Sequence, residues 1–328
     1  MQAVYITEFG DGANLELREV ADPPQPADHH VLVSVKSAGL NRADLMQRRG
    51  TYPPPPGYSP NIPGLEFAGE VTAVGPDVSG WKIGDRVFGV TAGGAQAEML
   101  VTDASLLARI PDNLSFAAAA AVPEAFITAH DAVFTLGGLK TGETLLIHAV
   151  GSGVGLAALQ LAKARGATVI GTSRTTEKLE RCVEFGLDFG VSTETLPEFG
   201  ENVMRETGNV GVNVILDLVG AAYFEQNLGT LATKGRLILV GLTSGRIAEF
   251  NLGLALQKRA TIIGTVLRSR PTAEKAEVTR KFADDVLPLL ASGQVRPNLD
   301  KVFPATDVLA AYAYLESNES FGKVVLEF

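Results

Sequence analysis

The sequence holds a single cysteine, one tryptophan and four histidines, and its acids outnumber its bases. One thiol cannot build an internal disulfide framework or a multi-cysteine zinc lobe, and such usage fits a reducing compartment. Cys182 falls with Leu179 and Val183 at helical spacing, which marks it as packing rather than as a reactive group. The 28 basic against 37 acidic residues give a formal charge of −9, which argues against nucleic acid or an anionic membrane as the main partner. No basic cluster interleaved with aromatics changes that reading. The opening "MQAVYITEFGDG" lacks a basic stretch followed by an apolar core, so no secretory signal is expected and the protein reads as cytoplasmic. No apolar run is long enough for a membrane span of roughly 20 residues. The longest, from Leu146 towards Arg174, is broken by His148, Ser152, Gln160 and several glycines. The histidines form no ligand set: His29 and His30 are adjacent and on a strand point to opposite faces, while His130 and His148 sit in apolar surroundings that suit hydrogen-bonded structural roles. No repeat is visible, and the one biased patch, "YPPPPGY", reads as a rigid loop.

What is present is 328 residues at 46% hydrophobic, enough for two modest cores. From Met1 to about Ala121, short runs such as "VLVSVKSAGL", "FAGEVTAVG" and "GDRVFGV" alternate between Gly and Pro punctuation, as a β-rich domain should. From Val122 to Arg268 the texture changes. "TLLIHAV", "ATVIGTS", "VNVILDLVG", "RLILVGL" and "TIIGTVL" are nearly continuous apolar strands of the kind a parallel sheet covers on both faces. Helical patterns, among them "GVGLAALQLAKARG" and "TTEKLERCVEFG", separate them. After Arg268, "AEVTRKFADDVLPLLASG", with Phe282, Val286, Leu289 and Leu290 at helical spacing, and "DVLAAYAYLESN" read as helices. The closing "GKVVLEF" reads as a strand that must join an existing sheet, so residues 269–328 are expected to complete the domain begun by 1–121, with 122–268 between them. The fold class is therefore α/β: a doubly wound parallel Rossmann sheet plus a β-rich domain.

The segment "LIHAVGSGVGLAALQLAKARGATVIGTSR" runs strand, glycine turn, helix, strand, the context that gives a glycine pattern meaning. Gly151, Gly153 and Gly155 let the backbone turn tightly, and the amides at the helix start favour a pyrophosphate. The spacing departs from G-x-G-x-x-G and also reads as Ala149, Ser152 and Gly155. Where an NAD-binding fold carries an acid for the ribose 2′-hydroxyl, this chain has Ser173 and Arg174, with Lys178 one helical turn on. A hydroxyl and two cations suit a 2′-phosphate, so NADPH is the expected cofactor.

In this order, "AGLNRADLMQRRGTYPPPPG", "PGLEFAGEV", "GDRVFG", "PEAFITAH", "IHAVGSGVG", "VLRSR" and "GKVVLEF" resemble the zinc-free quinone oxidoreductase (zeta-crystallin-like) branch of the medium-chain dehydrogenase/reductase superfamily. The similarity is strongest to its tumour-suppressor-inducible members. It implies a GroES-like catalytic domain beside the Rossmann domain. In zinc-dependent relatives the metal is held by a Cys and by the His of a Gly-His-Glu segment. Here Asn41 and Leu65 take those places, so the resemblance implies no catalytic zinc. It further implies a nicotinamide near Asn41, Thr128, Gly241 and a strand ending at Val266 and Leu267, and phosphates at Ser152, Gly153, Val154 and Gly155. Relatives tend to carry a tyrosine where Thr193 stands. The expected substrate is a small-molecule quinone, a flat acceptor able to take a hydride without a metal, with Asn41 and Tyr52 as hydrogen-bond donors to its oxygens. The alternatives are a 2-enoyl thioester or α,β-unsaturated ketone reductase with Tyr52 as proton donor, and a non-catalytic NADPH-binding protein. The run Arg259 to Arg268 reads as an edge strand, which the resemblance pairs with its twin in a homodimer.

Overall fold

The computed structural model describes residues 1–12, 14–195 and 198–328. The chain folds into two compact units, one formed by Met1–Ile127 with Leu267–Phe328 and the other by Thr128–Val266.

In the first unit the strand His30–Gly39 buries most of its length and pairs antiparallel with Glu66–Val74 and with Met99–Asp103. The sheet runs Leu299–Pro304, Lys323–Glu327, His30–Gly39, Glu66–Val74, Arg86–Val90, Leu107–Arg109. Its closing strand does what a lone terminal strand requires: Val325, Leu326 and Glu327 pair antiparallel with Gly39, Ala38 and Ser37. Val31, Val33, Val35, Phe67, Val71 and Val87 form one core, and Leu40, Leu45, Tyr312, Val324 and Leu326 belong to another. Gly39 sits where a side chain has no room. A Cβ there would lie 2.6 Å from the Ala120 carbonyl oxygen and would also meet the Glu66 carboxylate. That close approach brings the helix Phe116–Ala120 and the residues after it down onto Glu66.

The second unit is a six-stranded sheet in the order Phe189–Ser192, Thr168–Ser173, Thr144–Ile147, Val212–Asp217, Leu231–Leu239, Thr261–Gly264, parallel at every pairing. Its three central strands are buried almost throughout, which is why their sequences read as unbroken apolar runs. By order of appearance the strands run 3-2-1-4-5-6, so the winding reverses between Thr144–Ile147 and Val212–Asp217, the place where open α/β sheets bind ligands. The helix Gly153–Ala164 opens directly after the first of these.

Two expectations are corrected. The last strand is only Thr261–Gly264, not 259–268: Arg259 is the left-handed cap of the helix Leu252–Lys258. Val266 and Leu267 lie beyond the strand end, and Arg268 is tied into the first unit, drawing the chain off the sheet. Val183 is 63% exposed although Cys182 and Leu179 are buried, because the α-helix stops at Cys182 and a tighter turn over Val183–Phe185 breaks the periodicity.

No helix among the described residues is long and apolar enough to cross a membrane.

Candidate functional site

In the second unit the chemistry begins at the turn between the first strand and its helix. Ala149 adopts a left-handed backbone with φ of 50°, a conformation that costs a non-glycine residue roughly 1–2 kcal/mol. Ser152 caps the helix, its Oγ accepting from the Gly155 amide at 3.1 Å. At Gly155 a Cβ would stand 2.6 Å from the carbonyl oxygens of both Ala149 and Val150, so only glycine lets the helix start settle on the turn. Gly153 and Val154 occupy the first helical turn, where amides have no intrahelical acceptor, and with Ser152 they are half-buried. This is a cradle of backbone donors at the positive end of a twelve-residue helix, suited to an anion.

Behind the turn lies a buried polar relay. His148 contacts Thr172 Oγ1 at 2.9 Å through Nδ1 and Asn227 Oδ1 at 2.6 Å through Nε2. Asn227 Nδ2 donates to Asp217 Oδ2 at 2.9 Å, and Asp217 Oδ1 accepts from the amides of Val219 and Gly220. Burial pushes His148 down to about 4 and Asp217 up to about 6, so the imidazole is neutral, donates to Asn227 and accepts from Thr172. The relay ties the ends of the first, second and fourth strands together beneath the glycine turn.

At the end of the second strand, Ser173 is buried, Arg174 exposed and Lys178 half-buried. The Ser173 carbonyl accepts from the Thr193 amide at 2.8 Å and its hydroxyl at 3.2 Å. Thr193 in turn accepts from the Tyr223 hydroxyl at 2.9 Å, so this threonine is absorbed into the sheet edge. Gly241 exists for a close approach, since a Cβ would meet the Leu218 carbonyl oxygen at 2.5 Å. Thr128 lies half-buried on the helix Pro123–His130, and Val266 is exposed.

In the first unit, Asn41 and Tyr52 belong to a dense group of buried charges. Lys323 Nζ donates to Glu66 Oε1 at 2.6 Å, to Asn41 Oδ1 at 2.7 Å and to the Leu40 carbonyl at 2.7 Å. Asn41 Nδ2 donates to the same Glu66 oxygen at 2.9 Å, and the amide of Glu124 donates to Glu66 Oε2 at 2.8 Å. The Asn41 side chain is thus largely spent on holding Glu66 and Lys323. Leu65, beside Glu66, is buried. Asp44 accepts from the amides of Asn41 and Gly64, and burial pushes its carboxyl up to about 6. Arg268, 4% exposed, donates to the carbonyls of Ala92 and Tyr52 and to Gln47 Oε1. Its guanidinium stacks 4.9 Å from the centre of the Tyr52 ring. That cation lies against the face of the tyrosine. Burial, ahead of the opposing Arg268 charge, raises the Tyr52 phenol above its usual 10. Leu267 is buried next to this arginine.

Sequence reasoning singled out Asn41 and Tyr52 but not Glu66, Glu124, Arg268 or Lys323. Their partners lie as far as 283 positions away, beyond any local pattern. Glu66 and Lys323 did stand inside the quoted "PGLEFAGEV" and "GKVVLEF". Among the described residues no group of His, Cys, Asp and Glu is arranged to hold a metal ion.

A parallel sheet with an anion cradle at its switch point, joined to a β-rich unit with a desolvated charged cluster, defines an NAD(P)-dependent oxidoreductase. The comparisons with known proteins agree. Residues 153–284 match the family model described as zinc-binding dehydrogenase, and residues 27–112 that described as alcohol dehydrogenase GroES-like domain. Human quinone oxidoreductase is 31% identical over 328 residues, covering 99% of this chain and 97% of its own. The structure of Escherichia coli quinone oxidoreductase complexed with NADPH is similar with a TM-score of 0.90 at 30% identity, over 100% of both chains. The CurK enoyl reductase structure follows with a TM-score of 0.87 at 27% identity, over 99% of this chain and 98% of that one. The chain belongs to the quinone oxidoreductase branch of the medium-chain dehydrogenase/reductase superfamily.

Proposed function

We propose that the protein is a cytoplasmic, NADPH-dependent reductase of small quinones that works without zinc. The observation that carries this is the Asn41–Glu66–Lys323 contact. Where relatives of the zinc branch present a thiolate and an imidazole this chain has Asn41 and Leu65, and the Asn41 amide and the buried Lys323 ammonium occupy the Glu66 carboxylate. The charge on Glu66 is already balanced, and neither Asn41 nor Leu65 offers a ligand a zinc ion prefers.

The residues present fit the cofactor. Ser152, Gly153, Val154 and Gly155 would hold its diphosphate by backbone donors, because Gly155 alone permits the close helix start. Ser173, Arg174 and Lys178 would receive a 2′-phosphate, since cations and a hydroxyl attract the group that an acid there would repel. Thr128, Gly241, Val266 and Leu267, with Asn41, would border the nicotinamide, which when bound supplies the hydride. The protein's own part is to orient the acceptor, exclude water and manage the accompanying proton. Tyr52, pinned under Arg268, would wall the acceptor site and donate from its hydroxyl.

The test is NADPH and NADH oxidation against a panel of ortho- and para-quinones, enones and enoyl thioesters. The reading expects quinones to be reduced fastest, with NADPH bound more tightly than NADH. The likeness to the CurK enoyl reductase favours a second reading, in which Tyr52 protonates a reduced enoyl thioester. In that case the thioester outruns every quinone, and Tyr52→Phe abolishes its reduction while sparing quinones. A full panel without nicotinamide oxidation leaves a non-catalytic binder.

A further inference from the structure

Glu124 opens the helix Pro123–His130, and nothing in the proposed chemistry uses it. Its own amide is bonded to Glu66, a carboxylate with 0% exposure that accepts from Lys323, Asn41 and Glu124 itself. Glu66 is thereby paired with an ammonium and held by two further donors. A second carboxyl within the same cluster faces a like charge in a poorly solvated place, the arrangement that forces one of two neighbouring acids to keep its proton.

The charges that act on Glu124 come from several elements of the first unit. They are Glu66 on Glu66–Val74, Lys323 on Lys323–Glu327, Asp44 on Arg42–Arg48 and Arg268 ahead of the helix Thr272–Ala291, with Tyr52 in the proline loop and Lys275 on that long helix. The cations are largely committed: Lys323 to Glu66, Arg268 to Ala92, Tyr52 and Gln47, and Lys275 Nζ to the Arg268 carbonyl at 3.2 Å. Even so, the residue Glu124 keeps intermediate exposure while Glu66 has none.

We propose that Glu124 is the proton donor of the reduction, handing its carboxyl proton to the acceptor as hydride arrives. The proposal rests on the reductase reading above and deepens it. An acceptor that takes a hydride gains two electrons and one proton and is left as an anion. The O–H bond of Glu124 breaks, its electron pair stays on the carboxylate, and the proton bonds to the acceptor's oxygen. The nicotinamide is oxidised, and water reprotonates Glu124 between turnovers. In keeping with this, burial first and the Glu66 charge second push Glu124 up to about 8, near the value an acid working at neutral pH needs. Tyr52, whose phenol is raised further from neutrality, then serves to position the acceptor.

Infrared difference spectra of the cofactor-free protein test the proton itself, and activity tests its use. A carboxylic-acid C=O band should persist at neutral pH, titrate away near pH 8 and be absent from Glu124→Gln, which is isosteric with the protonated acid. Asp44 and Asp217, at about 6, are mostly ionised by then and do not obscure it. With the best acceptor of the panel, Glu124→Gln should lower kcat on the order of 10²-fold and lose the alkaline fall of the wild-type rate. Glu124→Asp should recover part of both. An acid band that is missing, or that survives in Glu124→Gln, overturns the proposal. So does a wild type that turns over with Glu124→Gln matching it at every pH, an outcome that leaves the reductase reading intact. A wild type that keeps the band but oxidises no NADPH brings down the reductase reading, and the donor role with it.

Discussion

At the scale of single residues, Gly155 in the cradle and Gly229 outside it are not equivalent, and the difference is measurable. At Gly155 a methyl group would collide with two backbone oxygens at 2.6 Å, and backbone cannot swing aside as a side chain can. Gly155→Ala is therefore expected to shift the helix start and weaken NADPH binding by at least about tenfold, roughly 1.4 kcal/mol. Gly229→Ala, on the helix Phe224–Thr230 with nothing within 4 Å, is the control: it should leave binding alone and stabilise slightly, by about 0.5–1 kcal/mol, as alanine does in a helix. Fluorescence titration of the three proteins decides it, and equal affinities would show that the cradle tolerates a side chain. The glycine turn, Ser173 and Arg174 were legible in the sequence because they lie within one strand–helix–strand unit. Glu124 was not, since its chemistry comes from Glu66, Lys323 and Arg268, which only the folded sheet brings near it. Asn41 was legible as a position but misread in part, because its amide serves Lys323 and Glu66.

At the scale of elements, the alternation of strand and helix was readable because both-face burial writes continuous Val, Ile and Leu into parallel strands. Ends were less readable. The stretch Arg259 to Arg268 looks uniformly extended, yet pairing stops at Gly264, since the anchoring of Arg268 is a long-range event. The edge that remains is short, but the segment that precedes it exposes apolar side chains: Ile247 is 92% exposed, Leu252 68% and Leu256 77%. An unpaired edge strand beside such side chains is the kind of surface a second copy covers, and we propose a homodimer through Thr261–Gly264 and the helix Leu252–Lys258. Sedimentation at micromolar concentration should then give a dimer, and Leu256→Glu a folded monomer. A wild-type monomer, or a Leu256→Glu dimer, would count against this surface.

At the scale of the whole molecule, two buried groups, His148 and Glu124, carry opposite responses to pH. His148 is held at about 4 against an ordinary 6.5, so below pH 6.5 the unfolded chain binds a proton that the native state refuses. The stability tied to its neutral form is lost as pH falls from 6.5 towards 4. Glu124 works the other way. Held at about 8 against 4.5, it keeps a proton that the unfolded chain has already released, so the native state loses stability as pH rises from 4.5 through 8 and levels off above. Glutamine at this position carries no proton to lose. The stability gap between Glu124→Gln and wild type should therefore be small near pH 4.5, widen in favour of the variant by a few kcal/mol as pH climbs to 8, and stay constant beyond it. Denaturant unfolding of both proteins across that range measures the gap. A gap that does not change with pH would mean that Glu124 is ionised in the folded protein, whatever the rates of the two enzymes.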